Sequence, residues 1–178
     1  GVNAMHPTWI GSIMAGKYGI ASSASLYFAD MNGTDKYQAI EHLIDVGCDL
    51  VNISATIGIV TGGSYNTDIE YYFDYLYTST KVVMVAASGN SLNEYLAGGY
   101  VGLPALCTNV ISVGSVNQNG DPSHFSSYKS MNDVRNKPNL VAMGDSRVVP
   151  GFWSMLGTSL SAPAVTGALA LLFQKRGV

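Results

Sequence analysis

Gly157-Thr158-Ser159-Leu160-Ser161-Ala162-Pro163 runs without a break into Ala164-Val165-Thr166-Gly167-Ala168-Leu169-Ala170-Leu171-Leu172-Phe173. A polar turn passes here into an apolar helix, and a serine hydroxyl lies at the junction. Unpaired backbone N–H groups and the positive end of the helix dipole favour developing negative charge at such a place. A plain N-cap would read the same way, since Ser and Thr are preferred there. Two neighbours point past a cap. Pro163 has no N–H to give a carbonyl about four residues back, which frees the carbonyl of Ser159 or its neighbour beside the hydroxyl. Gly157 leaves room above the serine for an approaching backbone. Ser159 is the candidate nucleophile.

Outward from this junction, helical and strand patterns alternate along the chain. Thr8 to Gly16 reads as a short helix, Ser25 to Ala29 as a strand with Asp30 at its carboxyl end, and Lys36 to Val46 as an amphipathic helix closed by Gly47. Leu50 to Ser54 is the next strand. Asp68 to Tyr77 is an aromatic-rich helix, and Val82 to Ala87 is an apolar run of the kind buried on both faces of a parallel sheet. Val110 to Gly114 and Leu140 to Ala142 are further strands, and the last helix begins near Ser159. The alternation predicts an α/β fold with a mostly parallel sheet, helices on both faces, and chemistry at the carboxyl ends of the strands. The polar stretch from Asn117 to Asn139 reads as surface loop.

Composition narrows the function classes. The chain has 178 residues, enough for one well-buried domain, and only 12% are charged while 47% are hydrophobic. A net charge of −3 offers no basic stripe for phosphates, which excludes a nucleic-acid partner. The apolar stretch near Ala162 to Phe173 is about half of the ~20 residues that a membrane span needs. No basic segment followed by an apolar one opens the chain, and Gly1 in place of Met reads as a processed or engineered terminus. Cys48 and Cys107 each precede a strand. With another strand between them their Cα atoms would be roughly 9–10 Å apart, so both are expected as free thiols.

A serine nucleophile needs a base, a carboxylate to orient that base, and donors for the oxyanion. The chain has three His. His42 falls on the polar side of an amphipathic helix and His124 in a polar loop. His6 precedes Pro7-Thr8-Trp9-Ile10-Gly11-Ser12-Ile13-Met14-Ala15-Gly16, at the mouth of the short helix, and is the best base.

That block resembles the His-Gly-Thr-His-Val-Ala-Gly-Ile-Ile-Ala-Gly block of subtilisin-like serine peptidases, the subtilase family. Val83-Met84-Val85-Ala86-Ala87-Ser88-Gly89-Asn90 is similar to the family's strand ending in Ala-Ala-Gly-Asn, and the opening stretch to its Gly-Thr-Ser-Met-Ala-Ser-Pro-His-Val-Ala-Gly. Val51-Asn52-Ile53-Ser54 resembles the substrate-pairing strand. Val110-Ile111-Ser112-Val113-Gly114 and Phe125-Ser126-Ser127 resemble a later core segment. The order of the blocks agrees from His6 almost to the last residue. The resemblance implies a three-layer subtilisin-like fold over residues 1–178 as a single, partial peptidase domain. It also implies His6 as general base, Ser159 as nucleophile, Asn90 as oxyanion donor, and Ser54, Ala55 and Thr56 as substrate-binding residues. A peptide or protein substrate and a secreted or cell-surface location follow from it. No metal or organic cofactor enters this chemistry; the resemblance allows calcium at loops, but no Asp-rich run locates it.

The chain departs from the pattern. Pro7 replaces a glycine and is expected to tilt the imidazole, Trp9 replaces a second histidine, and Thr56 stands where glycine is common and is expected to narrow the groove. The subtilisin order is Asp, His, Ser, and here the base is already at position 6. The strand carrying the aspartate is implied to be central, between the one ending at Asp30 and the one ending at Ser54. The chain therefore reads as a truncated piece that is inactive or weakly active alone. Either those two strands pair directly, with Asp30 replacing the carboxylate, or a neighbouring copy fills the edge by self-association. The rival reading is a catalytically dead domain that binds peptides or has a structural role. An esterase of the α/β-hydrolase type is disfavoured because its serine would precede its histidine.

Overall fold

The chain's computed structural model describes residues 5–31, 35–58, 60, 66–91, 98–129, 135–145, 147–148 and 154–177. The elements in order are α1 (Met5–Met14), α2 (Lys36–Asp45), β1 (Leu50–Ile53), α3 (Thr67–Thr80), β2 (Val83–Ala87), β3 (Val110–Val116), β4 (Leu140–Met143), β5 (Arg147–Val148), β6 (Ser154–Met155) and α4 (Thr158–Arg176). The first four strands form one parallel sheet in the order β1-β2-β3-β4. Ile53 pairs with Ala86, and Ala87 pairs with Val113, so β1, β2 and β3 end close together.

The apolar run of β2 is explained by its two faces, because alternate side chains of a strand point opposite ways. Met84 and Ala86 join Ile40 of α2 and Phe73 and Leu76 of α3 in one core. Val85 and Ala87 join Val113 and Ala162 of α4 in another. The sheet is thus the middle of three layers, as expected. Asp35 caps α2 by accepting from the N–H groups of Tyr37 and Gln38. α1 packs on α4 through Ile10, Ile13 and Leu160.

Three expectations are corrected. Residues 24–30 have no regular secondary structure and belong to no ladder, and they do not pair with β1. Leu26, Tyr27 and Phe28 are exposed, and a β-strand without a partner for its N–H and C=O groups has no ladder to join. Among the described residues β1 has a neighbour on one side only. α1 begins earlier than the pattern suggested, so His6 and Pro7 sit in its first turn, where a missing N–H costs nothing. The stretch 117–139 is not mere surface loop, although 130–134 lie outside the described residues. Ser123, Phe125, Ser126 and Ser127 are buried, because their hydroxyls and backbone serve the ends of β2 and β3: Ser126 Oγ accepts from Ser115 N–H at 2.9 Å. The β5–β6 hairpin carried no periodic signal of its own.

Candidate active site

The first turn of α4 is held from outside the helix. Gly157 is its N-cap and offers no side-chain bond. Instead, Asn90, just beyond β2, turns its Oδ1 toward the helix and accepts from the Thr158 N–H and from Thr158 Oγ1, both at 2.9 Å. Thr158 Oγ1 accepts in turn from the Gly89 N–H at 3.2 Å. With its oxygen engaged, the amide of Asn90 presents its Nδ2 donors on the side where Ser159 lies. A methyl group built on Gly157 would sit 3.1 Å from Ser159 Oγ, 3.4 Å from Asn90 Nδ2 and 3.8 Å from the Ser159 nitrogen. A hydroxyl, an amide donor and a helix N-terminal N–H therefore surround one small space. Gly157 keeps it open, both by lacking a Cβ and by adopting φ 148°.

Pro163 acts as its position predicts, and the carbonyl it frees is that of Ser159. This carbonyl accepts from Ser54 Oγ at 2.8 Å. Ser54, Ala55 and Thr56 leave the end of β1; Ser54 is half-buried and the other two are exposed. Thr56 leans over Gly102, and a methyl on that glycine would meet Thr56 Cγ2 at 2.7 Å. Gly102 donates its N–H to the Ser88 carbonyl at 2.9 Å. It forms a floor between the extensions of β1 and β2, and Thr56 covers part of it.

His6 reaches this region from the other side. It lines a cleft of about 1170 Å³ together with Ser54, Ala55, Asp30, Tyr27 and Thr166. Its ring meets Trp9 edge to face at 6.3 Å. Burial lowers its pKa from the ordinary 6.5, and among the described residues no carboxylate bonds to it. Asp30 shares the cleft without reaching the imidazole. His42 is exposed in the last turn of α2, and His124 is exposed beside Phe125.

The structure thus places Asn90 and Ser159 around one small space and Ser54 against the Ser159 carbonyl, with His6 on the wall of the adjoining cleft. Sequence reasoning missed Thr158, which looked like a cap residue but orients Asn90. It also passed over Asn52, whose signal was a polar residue inside the apolar strand Val51-Asn52-Ile53. Among the described residues no three His, Cys, Asp or Glu side chains come together, so there is no donor set against which to test calcium. No helix among them is long and apolar enough to cross a membrane.

The family model described as the subtilase family matches residues 3–177. Subtilisin DY of Bacillus licheniformis is 32% identical over 167 residues, covering 90% of this chain and 58% of that protein. Subtilisin E of Bacillus subtilis (strain 168) is 34% identical over 171 residues, 90% of this chain and 42% of that one. Among solved structures, the patellamide maturation protease PatA superposes with a TM-score of 0.75 at 26% identity, covering 98% of this chain and 68% of that one. The chain spans about half the length of the two subtilisins.

Proposed function

Because the chain belongs to the subtilase family, we propose that it is the nucleophile-bearing part of a serine endopeptidase, with Ser159 as nucleophile, His6 as base and Asn90 as oxyanion donor. The observation that carries this reading is the space above Gly157, ringed by Ser159 Oγ, Asn90 Nδ2 and the Ser159 nitrogen. Ser159 Oγ attacks the scissile carbonyl carbon while its proton passes to His6. The displaced carbonyl electron pair becomes an oxyanion held by Asn90 Nδ2 and the Ser159 N–H. Collapse expels the amine, which takes the proton from His6 and leaves an acyl group on Ser159. A water deprotonated by His6 then releases the acid and restores the hydroxyl.

The carboxylate that orients His6 comes, in this reading, from an extended segment outside residues 1–178 that lies in the cleft against the side of β1 that has no neighbour among the described residues. The cleft is bounded by α2 and α4 side chains such as Ile40, Leu43 and Ala170, so the segment is apolar on both faces. A second copy of the chain in that cleft is the competing occupant. The substrate is a peptide laid along Ser54 to Thr56. With Thr56 over Gly102, the residue supplying the scissile carbonyl is small. The family resemblance supports a location outside the cell or at its surface for such a protein.

The test is labelling with a fluorophosphonate and turnover of an unstructured peptide, by this chain and by a form that carries the preceding strand. Labelling at Ser159, lost in Ser159→Ala, is expected in the longer form. Loss of the orienting carboxylate costs on the order of 10⁴ in kcat, a figure known from subtilisin itself, so the short chain is expected to turn over at least that much more slowly. A longer form that neither labels nor turns over would favour the catalytically dead domain, a reading supported by an imidazole to which no carboxylate bonds among the described residues.

A further inference from the structure

The first turn of α4 has two weaknesses in its own sequence: Gly157 gives no side-chain cap, and Pro163 gives no N–H to the Ser159 carbonyl. A nucleophile must nevertheless be held within a fraction of an ångström. The compensation comes through a line of three side chains. Thr166 Oγ1 donates to Asn52 Oδ1 at 3.0 Å, Asn52 Nδ2 donates to Ser54 Oγ at 2.9 Å, and Ser54 Oγ donates to the Ser159 carbonyl at 2.8 Å. The line starts and ends on α4, with β1 between.

We propose that Asn52 and Thr166 are positioning residues for Ser159, acting through Ser54 to hold the carbonyl that Pro163 leaves free. This rests on Ser159 being the nucleophile. The direction of the line is chemically fixed. Ser54 has one proton, and only if Asn52 presents its Nδ2 to the Ser54 oxygen is that proton directed at Ser159. Reversing the amide would turn the Ser54 proton back onto Asn52 and leave a part-buried carbonyl unpaired, which is costly. Thr166 sets the amide by giving its proton to Oδ1. Its alternative acceptor, the Ala162 carbonyl at 3.1 Å, is the one it keeps when Asn52 is removed. The end of β1 therefore aligns the helix that carries the nucleophile, at the backbone carbonyl of the nucleophilic residue itself.

The experiment is a double-mutant cycle on the full-length protein, with the second-order rate of Ser159 phosphonylation by a fluorophosphonate as readout and thermal unfolding measured in parallel. Ser54→Ala, Asn52→Leu and Thr166→Val are each expected to slow labelling about tenfold, the size of one lost hydrogen bond. Thr166→Ser, which keeps the hydroxyl, is expected to retain the parent rate. Pro163→Ala returns an N–H to the Ser159 carbonyl, so in that background the same three substitutions are expected to slow labelling less than about twofold. A residue acting only on stability would give equal losses in both backgrounds, and that outcome overturns the proposal. Unchanged labelling in Thr166→Val and Asn52→Leu does so as well. A full-length parent that does not label at Ser159 removes the nucleophile reading and this inference with it. It is distinguished from the other two outcomes because the parent itself fails.

Discussion

Gly157 combines a backbone demand with a spatial one, and the two can be separated by experiment. Its φ of 148° strains any other residue, and a methyl there would fill the space between Ser159 Oγ and Asn90 Nδ2. Gly120 has φ 87° with nothing within 4 Å of its missing Cβ. Gly157→Ala and Gly120→Ala should each cost about 1–3 kcal/mol in unfolding experiments. Only Gly157→Ala should slow Ser159 labelling, by about 10²-fold or more, as loss of an oxyanion donor does. Thr56 decides a different property. Thr56→Gly uncovers Gly102, and the ratio of kcat/KM for peptides with Phe over Ala before the scissile bond should rise about tenfold or more. An unchanged ratio would mean that the acyl-side residue does not enter between Thr56 and Gly102. His6 is lowered from 6.5 by burial. The neutral imidazole is therefore favoured by folding, and its contribution is present above pH 6.5 and lost as pH falls through 6.5 toward the depressed folded value. Proton NMR should find its midpoint below that of a free histidine, and should find it raised when a carboxylate-bearing strand is present.

At the scale of elements, α4 was legible because an apolar run of helical length follows a Gly-Thr-Ser turn. Its registration against the sheet was not, because that depends on bonds to residues over 60 positions away: Asn90 with Thr158, and Ser54 with Ser159. α1 shows the same division. Its apolar spacing at Ile10 and Ile13 announced a helix, while its early start at Met5 follows from the tolerance of the first turn for Pro7. The segment 24–30 carries a strand-like pattern without a strand. Pattern reports what a segment would bury, whereas a ladder needs a neighbour, and the other side of the cleft is β1, whose outer edge has no neighbour among the described residues.

Across the whole molecule, the ends of the sheet are tied by a buried cation that no motif announced. Lys137 Nζ donates to the carbonyls of Cys107 at 2.7 Å and Val110 at 2.6 Å, and to Asn139 Oδ1 at 3.1 Å. Burial pulls its pKa down to about 8, and with three oxygen acceptors around it the ammonium stays charged at neutral pH. Arg135 adds an ion pair with Glu70 at 2.6 Å. Together they fasten the approach to β4 onto the turn before β3. Lys137→Met should lower stability by about 2–3 kcal/mol in urea unfolding, since two buried carbonyls lose their donor. A cost near zero would show that water replaces the ammonium. Cys107, next to this cage, is a buried free thiol pushed up to about 12 by burial and by Glu70 and Asp74. Cys48 is also free, with β2 lying between the strands the two cysteines precede.

The sequence by itself determined the layered α/β architecture and the freeing of a carbonyl by Pro163, because each depends on local periodicity or on a residue's own covalent chemistry, while the candidate roles of His6, Asn90 and Ser159 are what its resemblance to the subtilases implies. Only the tertiary structure decided that the freed carbonyl is met by Ser54 and that Thr158 turns the Asn90 amide outward. It alone decided that Thr56 covers Gly102, that residues 24–30 join no ladder among the described residues, and that Lys137 is buried among carbonyls. These are contacts between residues far apart in the chain, and their partners are chosen by how the strands and helices pack against one another, which no short stretch of sequence encodes.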